Sequence, residues 1–196
     1  MDYRLGNNEN GQVRYDWSDM VYRLRFEVPG FRSYVAYGNN LGSEGADTLN
    51  FVNAGANIRA ATPLLGSARM GVSLPLKLST DYIRVRSTDS SQPDVDHFRQ
   101  SSVGIGLGIG LFYQISGSMR VSAEAIPQIG FSFSALGSDS GQFSAVNGSV
   151  RFHLDQLISR FGLVAGFDYS FRRYSGGSDI NHHDIQSNNV TLGISF

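Results

Sequence analysis

The stretch Asn188-Asn189-Val190-Thr191-Leu192-Gly193-Ile194-Ser195-Phe196 decides how the rest of the chain is read. Val190, Leu192, Ile194 and Phe196 fall on one side of an extended strand, with Thr191, Gly193 and Ser195 on the other, because strand side chains alternate with period two. In water, an alternating apolar edge ending on an aromatic residue is a template for aggregation. Sealed into a closed barrel within lipid, the same strand presents no free edge.

Working back from this stretch, the same alternation recurs in segments of roughly ten residues, the repeat of a membrane barrel. Phe161, Leu163, Ala165, Phe167, Tyr169 and Phe171 oppose Gly162, Val164, Gly166, Asp168, Ser170 and Arg172. Val146, Gly148, Val150, Phe152 and Leu154 oppose Asn147, Ser149, Arg151 and His153. Met119, Val121, Ala123, Ala125, Ile129, Phe131 and Phe133 face away from Arg120, Ser122, Glu124, Gln128, Gly130 and Ser132. Val103 to Leu111 alternates with Gly104, Gly106, Gly108 and Gly110, Met70 to Leu78 with Arg69, Gly71, Ser73 and Lys77, and Val52 to Ala60 with Asn53, Gly55, Asn57 and Arg59. A strand at Phe31 to Gly38 completes a set of eight.

The connections alternate in length. Short ones lie near Pro63 to Ser67, Ser116 to Ser118 and Asp155 to Ser159; long polar ones lie near Asn39 to Thr48, Ser87 to Arg99, Ala135 to Gln142 and Tyr174 to Asn188. Short inner turns and long outer loops are the asymmetry of outer-membrane barrels. Outward aromatics gather at both ends: Tyr113, Phe152, Phe161 and Phe196 near the short turns, Phe131, Phe133, Tyr169 and Phe171 near the long loops. These read as two interfacial girdles. A soluble ligand-binding barrel would reverse the faces, but eight lines of large aliphatics would overfill so narrow a lumen, whereas glycines pack there easily.

The fold expected is therefore an all-β, transmembrane, antiparallel up-and-down β-barrel, of eight strands, with ten as the alternative. Residues 21–196 form the barrel domain and residues 1–20 an N-terminal arm or extra strand. The alternative turns on Pro29-Gly30, read as a turn or as a bulge after Tyr22, Leu24 and Phe26.

Composition is consistent with this. Charged residues make up 17% of the 196, glycine is abundant at 23, and cysteine is absent, which excludes disulfide scaffolds and thiolate metal sites. No apolar stretch reaches the roughly 18 residues of a membrane helix. A net charge of −1 gives no reason to expect nucleic acid as a partner. Met1-Asp2-Tyr3-Arg4-Leu5 is not a secretory signal, so outer-membrane placement implies a signal absent from this sequence.

On this pattern, and over roughly Phe31 to Phe196, the chain resembles the small bacterial outer-membrane barrels of the OmpA/OmpX type. The closing NNVTLGISF resembles that class's assembly signal, though Gly193 sits nearer the terminus than the usual glycine. The resemblance implies a bacterial outer-membrane location and insertion by the outer-membrane assembly machinery through the last strand. It also implies contact with outer-membrane lipids and lipopolysaccharide. Family members serve as anchors, adhesins, small pores and lipid enzymes, so the fold leaves function open.

The candidate functional residues are a lumen charge network of Arg59, Arg69, Lys77, Arg120, Glu124, Arg151, His153 and Asp168. Glu124, Arg151 and Asp168 lie on consecutive strands and are expected to bridge. Two readings follow. Either the charges pair and fill the interior, giving a monomeric structural or surface-interaction protein whose loops meet an extracellular ligand, or a basic lower lumen passes small solutes or anions. The glycine run is not a nucleotide loop, because its spacing of two is that of a strand and no helix follows. Asn147-Gly148-Ser149, formally a glycosylation sequence, falls mid-strand. A third reading is a loop hydrolase: Asp94, Asp96 and His97 in one long loop and His182, His183 and Asp184 in another resemble the acidic and Asp–His pairs of the omptins. The first reading is preferred, with no enzyme activity, cofactor or metal expected.

Overall fold

The computed structural model describes residues 2–6, 13–18, 20–41, 49–87, 96–134, 140–158, 161–175 and 182–195. Its regular elements are strands: β1 (Asp2–Gly6), β2 (Val13–Ser18), β3 (Tyr22–Val28), β4 (Phe31–Leu41), β5 (Leu49–Gly66), β6 (Met70–Ser87), β7 (Asp96–Leu107), β8 (Ile109–Ser116), β9 (Met119–Ser134), β10 (Ser140–Ile158), β11 (Phe161–Ser175) and β12 (His182–Ser195). They pair antiparallel in the order β2-β1-β12-β11-β10-β9-β7-β6-β5-β4-β3, with β8 between β6 and β9. The ends of this path, β2 and β3, follow one another in sequence and run the same way, so β1 beside β2 and β4 beside β3 close the sheet at the long-loop end. The protein is an all-β antiparallel barrel.

β7 and β8 are one strand with a local gap. Leu76↔Leu107 and Ser73↔Gly110 keep a single register along β6, and Gly106↔Gln128 and Ile109↔Ala125 do so along β9. The gap falls at Gly108, which lies opposite Pro75 of β6 and next to the Leu107–Pro127 pair on the β9 side; neither proline has an N–H to give the ladder. Gly108 N–H still donates to the Pro75 carbonyl at 3.0 Å. With this pair counted together, β4 to β12 are the eight apolar lines read from the sequence.

The N-terminal region adds to them. Pro29-Gly30 is a two-residue turn between the paired Val28 and Phe31, and Gly30 takes φ 79°, the left-handed position that a proline-led type II turn requires. β3 therefore pairs with β4, while the β1–β2 hairpin pairs with the start of β12. Residues before Val21 supply strands of the sheet rather than a detached arm, so more than eight strands are present.

The faces follow the alternation. Val103, Ile105, Leu107, Ile109 and Leu111 point outward, each 49–52% exposed, while Gly104, Gly106 and Gly110 are buried inside. The inward glycines are seats for neighbouring rings. Tyr34 lies over its cross-strand partner Gly55, Phe112 over Gly71, and Phe143 reaches past Gly130 to cover Gly104. A Cβ at Gly104 would stand 2.9 Å from the Phe143 ring, so the ring's seat requires glycine at that position.

One seam differs. Below the short β1, no ladder joins β3 to Ser187–Ser195 of β12 among the described residues. Leu24 and Leu192 are each 81% exposed, because an outward side chain there has a neighbouring strand on one side only. Ile129 and Phe131 are also well exposed for a different reason, their β10 partners being Ser144 and Gln142. Across the seam, Arg25 of β3 donates to Thr191 Oγ1 at 2.7 Å.

Candidate functional site in the lumen

The inward residues divide the lumen into three levels. The long-loop end is apolar. Ala36, Leu49, Phe51, Ile83, Val85, Phe143, Ala145, Tyr174 and Ile185 form one buried cluster, with the Phe143 and Tyr174 rings 5.2 Å apart. Sequence reasoning assigned the lumen to polar side chains throughout. It missed this plug because these residues lie on the polar-face parity of their strands, beyond the segments read there. The signal was present in β6, where Asp81, Ile83 and Val85 share the inward face.

Below the plug the interior is charged. Asp168 on β11 gathers three strands: Arg151 Nη2 of β10 at 2.8 Å, Arg25 Nη1 of β3 at 3.0 Å and the Thr191 hydroxyl of β12 at 2.8 Å. Arg151 also donates to Glu27 at 3.0 Å, and Glu27 accepts from Arg32 at 2.8 Å. On the opposite wall the Tyr34 hydroxyl donates to Asp81, and Arg172 lies 3.4 Å from the same carboxylate. Arg59 of β5 pairs with Glu124 of β9 across the lumen. Gln128 accepts from Lys77 at 3.2 Å and from Asn147 at 2.6 Å, and donates to Ser79 at 3.1 Å. Arg23, Lys77, Asp81, Glu124, Asp168 and Arg172 are among the residues that line a partly open cavity of about 60 Å³.

At the short-turn end Arg120 lies 3.8 Å from Asp155, and Ser122 Oγ lies 3.5 Å from His153 Nε2. That Ser–His separation is at the outer limit of a hydrogen bond. Among the described residues no carboxylate hydrogen-bonds the imidazole, and no three His, Asp or Glu side chains are placed to hold a metal ion.

Of the expected network, Arg59, Lys77, Arg120, Glu124, Arg151, His153 and Asp168 line the interior. The Arg151–Asp168 bridge forms as expected, but Glu124 pairs with Arg59 rather than with its near neighbours. Arg69 departs from expectation. It stands in the bend between β5 and β6 with its side chain exposed, although its carbonyl still accepts from the Gln114 N–H at 2.6 Å. Arg23, Arg25, Glu27, Arg32, Tyr34, Asp81 and Arg172 were missed as site residues, although the alternation of Arg23, Arg25 and Glu27 against Tyr22, Leu24 and Phe26 was legible.

The outward aromatics Tyr113, Phe152, Phe161, Phe131, Phe133, Tyr169 and Phe171 stand on the outer face at the two ends of their strands, joined by Tyr22, Phe26, Phe31 and Tyr37. Phe196 and Asp94 lie outside the described residues, as do the side chains of Asp96, His97, His182 and His183. Asp184, by contrast, is held by Arg173 through two hydrogen bonds of 2.9 Å. No protein-family model and no curated protein sequence matches the chain.

Proposed function

We propose that the chain is a bacterial outer-membrane β-barrel of the OmpA/OmpX kind, a monomer with a structural or surface-interaction role and a lumen that does not conduct. The observation that carries this reading is the buried apolar plug around Phe51, Ile83, Val85 and Phe143, stacked on a cross-braced charge cluster. A water-filled pore would line its wall with hydrated polar groups, not with aliphatics and phenyl rings packed against one another.

Membrane insertion is supported by the outer surface. Outward apolar residues cover the barrel, far beyond the few hundred Å² that a soluble monomer tolerates. From Phe161 to Phe171 the outward face of β11 runs ten residues, roughly 33 Å along the strand and about 25 Å along the normal at a 40° tilt. That matches the apolar band of an outer-membrane barrel. Lipids and lipopolysaccharide would surround this belt, the assembly machinery would meet β12, and any extracellular partner would meet the long loops. Arg84, Arg86 and Arg99, on the outer face toward the long-loop end, are suitably placed for anionic headgroups.

Planar-bilayer recording of the purified, refolded chain tests this function. No reproducible conductance steps are expected. Stable anion-selective steps would favour the alternative reading, a narrow channel for small solutes or anions, which the excess of lumen arginines recommends. Release of peptide or lipid products would instead favour a hydrolase.

A further inference from the structure

We propose that the mid-lumen cavity is a binding site for a small inorganic anion, of halide to phosphate size, held between Arg23 and Lys77. The argument rests on which charges already have partners. Every carboxylate on the cavity wall is engaged: Asp168 by Arg25 and Arg151, Asp81 by Arg172 and the Tyr34 hydroxyl, Glu124 by Arg59. Glu27, just outside, is shared by Arg32 and Arg151.

Two cations on the same wall remain. Lys77 meets only the neutral Gln128 amide oxygen, at 3.2 Å. Arg23 lies with its guanidinium 5.0 Å from the Tyr34 ring, and its Nε is buried without a hydrogen-bond partner. Among the described residues neither has a carboxylate within ion-pair distance.

A buried cation without a counter-charge is strongly disfavoured unless water or an ion completes it. The cavity has both the polarity and the room, since about 60 Å³ accommodates several water-sized groups, at roughly 10 to 15 Å³ each. An anion there would face the N–H groups of Arg23 and the ammonium of Lys77, charge-assisted donors of the stronger kind. The apolar plug above makes this a resident site rather than a stage in permeation, so it does not depend on the chain conducting.

The test is thermal unfolding of the full chain in detergent micelles, at constant ionic strength, in sodium chloride, bromide, phosphate or gluconate. Gluconate, a bulky organic anion, serves as the large-anion control. A saturable rise in midpoint of about 5 °C is expected with the small anions and none with gluconate. R23Q and K77Q should each weaken the apparent anion affinity at least about five-fold, whereas R173Q, at the exposed Asp184 pair, should leave it unchanged. Bromide-soaked crystals of the unaltered protein should show an anomalous peak between Arg23 and Lys77, which keeps the proposal testable should either variant fail to fold. The same midpoint in all four salts, or an empty cavity in bromide, would overturn it. The preference between chloride and phosphate identifies which ion is resident.

Discussion

Replacing Asp168 with alanine should be among the most disruptive single changes in the barrel interior. The carboxylate accepts from Arg151 at 2.8 Å, from Arg25 at 3.0 Å and from Thr191 at 2.8 Å, tying β10, β3 and β12 to β11. The side chains of Asp168, Arg25 and Arg151 are 13%, 14% and 9% exposed, so solvent screens them only weakly. Charge-assisted hydrogen bonds contribute about 1.5–3 kcal/mol each, but the three share one acceptor and do not add. Arg151 also keeps Glu27, at 3.0 Å. The expected loss is therefore about 3–5 kcal/mol, the range for orphaning a buried ion-pair partner. Asp168→Asn, which keeps one acceptor but no charge, should lose roughly half of that. The assay is reversible urea unfolding in lipid vesicles, followed by far-ultraviolet circular dichroism. In the R25A background Asp168→Ala should be milder by about 1–2 kcal/mol, the coupling expected of a direct pair. A loss under about 0.5 kcal/mol in both backgrounds would mean that the carboxylate is fully hydrated, and the picture of a braced, closed lumen would fall.

Other changes separate the two faces. Leu107→Arg on the outer wall should lose roughly 2–4 kcal/mol in vesicles, as for a charge near the bilayer midplane, and almost nothing if that wall faces water. Gly106→Ala should lose about 1–3 kcal/mol in any solvent, because its Cβ would stand 2.5 Å from Gln128 Cγ and 2.8 Å from the Pro127 carbonyl; a neutral result would show a roomier lumen. Phe143→Ala should lose about 3–5 kcal/mol in the same urea titration by emptying the plug and uncovering Gly104, and should leave a barrel whose conductance is measurably less quiet than that of the parent.

Much of this was readable from alternation alone, and the reason is physical. Where one strand face meets a uniform environment, its side chains are all of one kind, so the inside and outside of β5 to β12 could be assigned without coordinates. Legibility failed where the environment changes along a face. On β6 the inward positions pass from Ser73 and Lys77 through Asp81 to Ile83 and Val85, so a rule of polar inside breaks at the plug. It failed again for pairing across the lumen: Arg59 and Glu124 lie on β5 and β9, and no periodicity shows that their side chains meet. Nor does alternation show what fills the space beside an inward glycine. At Gly104 and Gly55 the missing Cβ admits Phe143 and Tyr34 from next-nearest and adjacent strands, so small residues on one strand allow a tight interior.

The seam between β3 and lower β12 bears on the membrane reading directly. In hydrocarbon each unpaired N–H or C=O is disfavoured by several kcal/mol, so two free edges facing lipid call for a partner strand. Arg25 spans the gap to Thr191 and Asp168 with its side chain, which holds the two strands near one another but satisfies no backbone group on either. β1 enters the sheet antiparallel to both β2 and β12, so an extended segment continuing its direction past Asp2 would complete both edges. Hydrogen exchange reports on this without further structure. On Val190 to Ser195 the amides bonded to β11 should be protected, whereas the alternate set that points to the seam should exchange at least about ten-fold faster in micelles. Added upstream residues with strand-forming alternation should slow that second set. Uniform protection of both sets in the chain as it stands would show that β3 and β12 already pair, and that the barrel closes through its own backbone over its full height.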